Sequence, residues 1–347
     1  MSLLRLPGLR VGPWRRAHPN DSRPVMLFFR AFKERPGLTV MSGGDRKVWD
    51  YFQHVESSPY YRPMLRTRTR TLAPDNPWSR YPDRVVGRFR RLAPNAYFVA
   101  GMNWSHLARK PIRLDRPIIN LVQHVRHAHD DDPRHSFLHL PAVRICVGPE
   151  VEDAVRATGL VRGPVITIPN GIDLPVNQEA TALSARDIDI AVVGNKNPNF
   201  TKKVAARLER PGRRLEMVAR FIERDKFLSI LGRSRLVILI PRRQEGFYLP
   251  ALEAMALRTP VVCPDCVGNR SFCVDGRTCW RPSYDLDAIV AAAEAAWTAE
   301  PVVVEQIREQ AAQEAARHDL DNERRAFLEI LGRLPDLWAQ ATAPPTP

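Results

Sequence analysis

The chain has 347 residues, 44% hydrophobic and 26% charged, a balance that excludes a disordered, collagenous or disulfide-stapled miniprotein and a length that predicts two domains. Its 52 Lys and Arg against 38 Asp and Glu give a net charge of +14, which favours anionic partners, but no run of five or six like charges marks a nucleic-acid tail. Apolar runs stay far short of the roughly 18 residues a spanning helix needs, and Arg5, Pro7, Arg10 and Pro13 break up the start, so a soluble cytoplasmic chain is expected.

Residues 1–23 are rich in Pro, Arg and Gly without period and read as a loose arm. Val25–Phe29 is a short apolar run of the buried-strand kind; Val40–Met41 follows, then Ser42-Gly43-Gly44, then Asp45–Val55, whose Val48, Tyr51, Phe52 and Val55 fall at helical spacing. A glycine turn between strand and helix suits close approach of a substrate to backbone at Gly43 and Gly44. Residues 57–95 are the least readable, while Ala96–Ala100, Ile118–Val122, Val143–Val147 and Val165–Ile168 are further strands. The polar stretch from Ile172 to Asp187 reads as a linker.

A second alternating series begins with strand Ile188–Val193, ending in Gly194. Helix Thr201–Glu209, strand Arg214–Val218, helix Asp225–Leu231, strand Leu236–Ile240, helix Pro250–Leu257, strand Pro260–Cys263 and helix Leu286–Trp297 follow, with Val303–Arg333 mostly helical. The pattern predicts an α/β protein of two doubly wound, Rossmann-like domains facing across a cleft, 24–171 and 188–330, with the 331–347 tail packing back on the first. Ligands in such sheets sit outside the carboxyl ends of the strands, here on the two sides of that cleft.

Five cysteines and no signal peptide predict free thiols. Cys263 and Cys266 have the C-x-x-C spacing of a zinc site, but Cys273 and Cys279 lack a tight knuckle and no histidine lies nearby, so buried thiols are expected. His124, His127, His129, His135 and His139 crowd around Asp130-Asp131-Asp132, readable as a polar surface loop, a mixed metal site or a catalytic turn.

The chemistry concentrates in Pro241–Pro260, PRRQEGFYLPALEAMALRTP. Glu245 sits in the loop after a strand and Glu253 eight positions later in a helix begun by Pro250. The free N–H groups and positive dipole end of that helix favour an anion such as a diphosphate. A carboxylate on each side of a phosphate-friendly turn suits a ligand with hydroxyls at both ends and phosphates between, the shape of a nucleotide sugar.

The segment resembles the signature of the family 4 retaining glycosyltransferases of the GT-B fold, carried by Pro241, Glu245-Gly246-Phe247, Leu249-Pro250, Glu253-Ala254-Met255-Ala256 and Pro260-Val261-Val262. Ile168-Pro169-Asn170-Gly171-Ile172-Asp173, Val193-Gly194 and Ser42-Gly43-Gly44 resemble further segments of that family. The resemblance implies a retaining transfer of a sugar from a nucleotide diphosphate to a glycan, lipid-linked or small-molecule acceptor, with no cofactor or metal and no nucleic acid as partner. Glu253 would accept from ribose hydroxyls, Glu245 would hold the donor sugar, and the amides of Phe247, Tyr248 and Leu249 would meet sugar or diphosphate. His124 would face the reacting carbon, and Lys196, Lys202 or Lys203 would neutralise the leaving diphosphate, with Lys203 foremost. Arg258 and Cys279 stand where the family has glycine. A same-fold epimerase or inverting transferase, or an inactive basic binder, is the alternative, and the charge is compatible with peripheral association to an anionic membrane.

Overall fold

The computed structural model describes residues 21–30, 43–67, 77–87, 92–108, 115–174 and 181–344. The expected arm up to residue 20, the Val40–Met41 strand, Ser42 and residues 175–180 of the linker lie outside the described residues.

Parallel strands covered on both faces need near-continuous apolar runs, and the sequence supplies them. β1 (Val25–Arg30), β2 (Arg62–Thr67), β3 (Val85–Val86), β4 (Ala96–Ala100), β5 (Ile118–Val122), β6 (Val143–Cys146) and β7 (Val165–Thr167) form one all-parallel sheet in the order β3-β2-β1-β4-β5-β6-β7. α1 (Gly43–Glu56) buries Val48, Tyr51, Phe52 and Val55. α2 (Ser105–Ala108) follows β4, and α3 (Pro149–Arg156) follows β6, opened by a proline whose missing N–H costs nothing there. β2 was illegible because Arg62, Pro63 and Arg66 interrupt it. Its neighbour β3 pairs only with Leu65 and Arg66, so Pro63 has a strand on one side only, where a missing donor is tolerated.

The second sheet holds β8 (Ile188–Val193), β9 (Leu215–Val218), β10 (Ser234–Leu239) and β11 (Val261–Val262) in the order β11-β10-β8-β9, again all parallel. α4 (Pro198–Leu208), α5 (Arg224–Arg233), α6 (Leu249–Ala256) and α7 (Leu286–Thr298) are its crossovers and cover. Strand order reverses between β1 and β4 in one sheet and between β8 and β10 in the other, opening a crevice at each set of carboxyl ends. No helix among the described residues is long and apolar enough to cross a membrane.

α8 (Pro301–Arg317) packs on α6. The helical run then breaks at Asp319, whose side chain accepts from the Asp321 N–H at 2.7 Å and caps α9 (Leu320–Gly332). Phe327, Ile330 and Leu331 of α9, with Leu334 and Leu337 of α10 (Leu334–Thr342), join the core of the first sheet. The return to the first sheet therefore starts at Leu320, ahead of residue 331 where the sequence places the tail. An amphipathic helix carries no mark of which sheet its apolar face serves.

The two crossings run side by side. Ile172 N–H donates to the His318 carbonyl at 2.8 Å and Leu320 N–H to the Ile172 carbonyl at 3.2 Å. A Cβ on Gly171 would lie 2.7 Å from Leu320 Cα, so only glycine lets the strands meet. Beneath them Glu323 accepts from the Gly171 N–H at 2.5 Å and pairs with Lys47 Nζ at 2.6 Å, while His54 Nε2 lies 3.0 Å from its other oxygen. Lys47 also bonds Asp50 at 3.0 Å and the Gly171 carbonyl at 3.1 Å. Burial pushes the Glu323 carboxyl up, but Lys47 and His54 outweigh it and hold the pKa below its ordinary value. Truncation of Glu323 leaves a buried ammonium with one carboxylate fewer, a change that costs about 3–5 kcal/mol. Glu323→Ala should lower the urea midpoint accordingly and Glu323→Gln by less; an unchanged midpoint in the alanine variant contradicts this role.

Candidate active site

β10 runs through Ile240 into Pro241, and the loop that follows brings Glu245, only 6% exposed, to the carboxyl edge of the second sheet. Glu253, 3% exposed, lies in α6, which Pro250 opens within its first turn. At the neighbouring strand β8, Gly194 ends the run. A Cβ there would sit 2.0 Å from Thr201 Oγ1, whose hydroxyl lies 2.8 Å from the carbonyls of both Gly194 and Asn197. That turn aims Lys196 at Glu245. Its Nζ lies 2.9 and 2.8 Å from the two carboxylate oxygens, and the Arg242 N–H donates to the first of them at 3.1 Å. Lys196 keeps 38% of its side chain exposed, so a ligand can reach it. Glu253 Oε1 accepts from Arg224 Nη1 at 2.6 Å, a partner at the start of α5 that no motif announced.

The first domain closes on this loop through glycines. A Cβ on Gly246 would fall 1.8 Å from the Gln123 carbonyl oxygen and 2.8 Å from His124 Cα, so the loop is laid directly on the turn after β5. Gly44 presents its α-carbon to the Gln123 side-chain amide, whose oxygen would lie 3.1 Å from any Cβ added there, and Gly43 faces Leu249. Phe247 packs against Gly148 at the start of α3 and, on its other side, lies 5.0 Å from the Phe272 ring and 5.6 Å from the His318 ring, centroid to centroid. Thus the first turn of α1, the turn after β5 and the loop 241–248 share one cleft.

His124 sits at the meeting point. Its Nδ1 accepts from the Arg126 N–H at 3.1 Å, which leaves the hydrogen on the other nitrogen, and the ring also bonds the Gln244 main chain. Burial, then the nearby Arg126 charge, lower its pKa to about 4, with Glu245 pulling the other way. The ring is therefore neutral at pH 7, a hydrogen-bond donor rather than an acid. Burial lowers His127 further, to about 3.

Not every expected group reaches the cleft. Lys202 and Lys203 are exposed on α4 and make no ion pair among the described residues, whereas Lys196 is the cation on Glu245. The Tyr248 N–H donates to the Gly268 carbonyl at 2.8 Å and the Leu249 N–H to the Phe247 carbonyl at 3.2 Å, so these two amides are already engaged, and the Tyr248 ring belongs to the second domain's core. Phe247 N–H has no such bond among the described residues. Cys263, Cys266, Cys273 and Cys279 are buried free thiols in that core, and no group of three or more His, Cys, Asp or Glu among the described residues is placed to hold a metal.

Residues 165–299 match the family described as Glycosyl transferases group 1, a stretch that holds Gly194, Lys196, Glu245 and Glu253 but neither His124 nor Gly43. The resemblance read from Pro241–Pro260 is met there, and the chain carries a glycosyltransferase domain. No curated protein matches the chain in sequence. Among solved structures, sucrose-phosphate synthase from Thermosynechococcus elongatus is similar with a TM-score of 0.68 at 14% identity, over 90% of this chain and 100% of that one. Anabaena HepE in complex with UDP and glucose gives 0.66 at 12%, over 90% and 100%, and a glycosyltransferase from Rickettsia africae 0.62 at 11%, over 90% and 99%. These likenesses establish the two-domain GT-B fold.

The two depressed histidines set a pH dependence. The unfolded chain protonates them first, near 6.5, so the stability they contribute is complete above that pH and is lost as pH falls through about 4 and about 3. By NMR both rings should stay neutral down to about pH 5. A His124 midpoint near 6.5 would falsify the packing assigned to it.

Proposed function

We propose that the protein is a retaining glycosyltransferase that moves a sugar from a nucleoside diphosphate to a glycan, lipid-linked or small-molecule acceptor bound on the first domain. The observation that carries this reading is the Lys196–Glu245 pair beside α6, with Arg224–Glu253 one helix turn further on and the glycine turn of α1 opposite. Two carboxylates, each already matched by a cation, flank the opening of a helix, and a diphosphate between them is drawn to that helix end and to Lys196. Glu253, with one oxygen held by Arg224, offers the other to ribose hydroxyls. Glu245 exchanges Lys196 for the hydroxyls of the donor sugar. UDP-glucose is the first donor to test, since HepE was solved with it.

When the bond from the sugar's anomeric carbon to the diphosphate breaks, the electron pair stays on the leaving phosphate oxygen. The acceptor hydroxyl attacks from the same face and passes its proton to that oxygen, so configuration is retained. Lys196 and the α6 opening meet the growing charge without reorganising, and this reading requires no resident metal. Neutral His124 exchanges its bond to the Gln244 main chain for a hydrogen bond donated at the sugar. The protein acts in the cytoplasm, with its positive charge favouring the surface of an anionic membrane where a lipid-linked acceptor would lie.

A cation aimed at developing charge contributes about 2.7–4 kcal/mol to the transition state. Lys196→Ala should therefore lower kcat on the order of a hundredfold with little change in donor affinity, while Lys202→Ala and Lys203→Ala stay near wild type. Normal turnover in Lys196→Ala, measured as UDP release from UDP-glucose, counts against the assignment; an inverted anomer in the product, read by NMR, counts against retention.

Glu253→Ala should weaken UDP binding by about 1.5–3 kcal/mol, the worth of hydrogen bonds to a charged group. Calorimetric affinity equal to wild type removes Glu253 from the ribose site.

A further inference from the structure

Gln123, half-buried just before His124, joins the two walls of the cleft. Its carbonyl oxygen lies against Gly246, the residue after Glu245, where an added Cβ would come within 1.8 Å of it. Its side chain reaches the first turn of α1, where the amide oxygen, carbon and nitrogen would lie 3.1, 3.7 and 3.7 Å from a Cβ on Gly44. That amide makes no hydrogen bond among the described residues, and neither of its polar atoms is sealed from solvent. The polar groups beside it are committed. Glu245 holds Lys196 and the Arg242 N–H, while the His124 ring accepts from the Arg126 N–H and bonds the Gln244 main chain.

A carboxylate only accepts hydrogen bonds, and a neutral imidazole whose Nδ1 is occupied only donates. A primary amide does both from one planar group. Such a group distinguishes two configurations of a single hydroxyl, because the epimer turned away from it leaves a polar group of the site unpaired. Resting on the glycosyltransferase reading, we infer that Gln123 is a specificity-determining residue, its amide bonding a ring hydroxyl of the transferred sugar between the Glu245 loop and the α1 turn. The sugar is the partner because the main chain of the same residue lies on the loop that carries Glu245, the carboxylate assigned to the sugar. Gly44 keeps the amide in place, since a Cβ 3.1 Å from its oxygen would displace it.

Gln123→Met is the informative variant, because methionine keeps the length of the side chain and fills its space without the amide's hydrogen bonds. Donor hydrolysis by the full chain is measured with UDP-glucose and with UDP-galactose, UDP-N-acetylglucosamine and UDP-xylose, which depart from it at C4, C2 and C5. Wild type should favour one donor over at least one other by roughly tenfold or more in kcat/KM, the worth of a hydrogen bond to a neutral group. Gln123→Met should bring that ratio close to one by slowing the favoured donor, while calorimetric UDP affinity stays unchanged. If the methionine variant fails to fold, Gln123→Ala is held to the same outcome. The inference is overturned if wild type turns the donors over alike, if the variant keeps the wild-type ratios, or if it slows every donor equally, since the residue then serves packing or the diphosphate. A wild type that binds no UDP removes the donor-site reading and this inference with it; UDP binding with unaltered sugar ratios removes the inference alone.

Discussion

Lys47 and Glu323 meet 2.6 Å apart beneath the place where the chain passes from one domain to the other and back. A buried ion pair of this kind contributes little net stability against well-packed apolar residues, because taking both charges from water costs about as much as their attraction returns. Its effect is on register. Glu323 also accepts from the Gly171 N–H and Lys47 donates to the Gly171 carbonyl, so one residue of the outward crossing is bound through both of its peptide groups. Lys47 stands in the first turns of α1, whose glycines form one wall of the cleft, and Glu323 stands in α9, whose far end is in the first domain's core. The wall of the site and the hinge are therefore one charged unit, and displacing Glu323 leaves the buried Lys47 with Asp50 as its remaining carboxylate.

On the other side of the cleft the charges are arranged differently. Glu245 and Glu253 are nearly as buried as Glu323, but each has a partner with substantial exposure: Lys196 and Arg224 both keep 38% of their side chains open. Burial of the carboxylate fixes its position, while the solvated partner can move at small cost. Rigid anions with mobile cations suit a site that must exchange one polar partner for another, since the exchange reorganises only the side that is already wet.

The Rossmann-like alternation was legible because buried parallel strands must be continuous apolar runs; Ile118–Val122 and Ile188–Val193 are buried at every position. The eight-residue spacing of Glu245 and Glu253 was legible because strand end, loop and helix start fix both. What escaped was everything decided by contact between distant segments. Arg224 lies 29 residues before Glu253, in no motif, and only the fold of β9 and α5 brings it there. Lys196, Lys202 and Lys203 are equal in sequence; the Thr201 hydroxyl, by tying the turn to Gly194, points the first at Glu245 and leaves the others on the outer face of α4. The amides of Tyr248 and Leu249 were available on paper, and Gly268, a residue twenty positions away, takes one of them.

His124 shows what the meeting of the two domains does to one side chain. Burial is the first cause of its depressed pKa, the Arg126 charge from its own turn is the second, and Glu245 from the facing loop opposes both. The two charges come from opposite domains and act with opposite sign, so the ring is kept neutral chiefly by being covered, and it is covered because Gly246 lets the loop of the second domain lie directly on the turn after β5. A side chain at position 246 would therefore undo the contact and the neutral ring together.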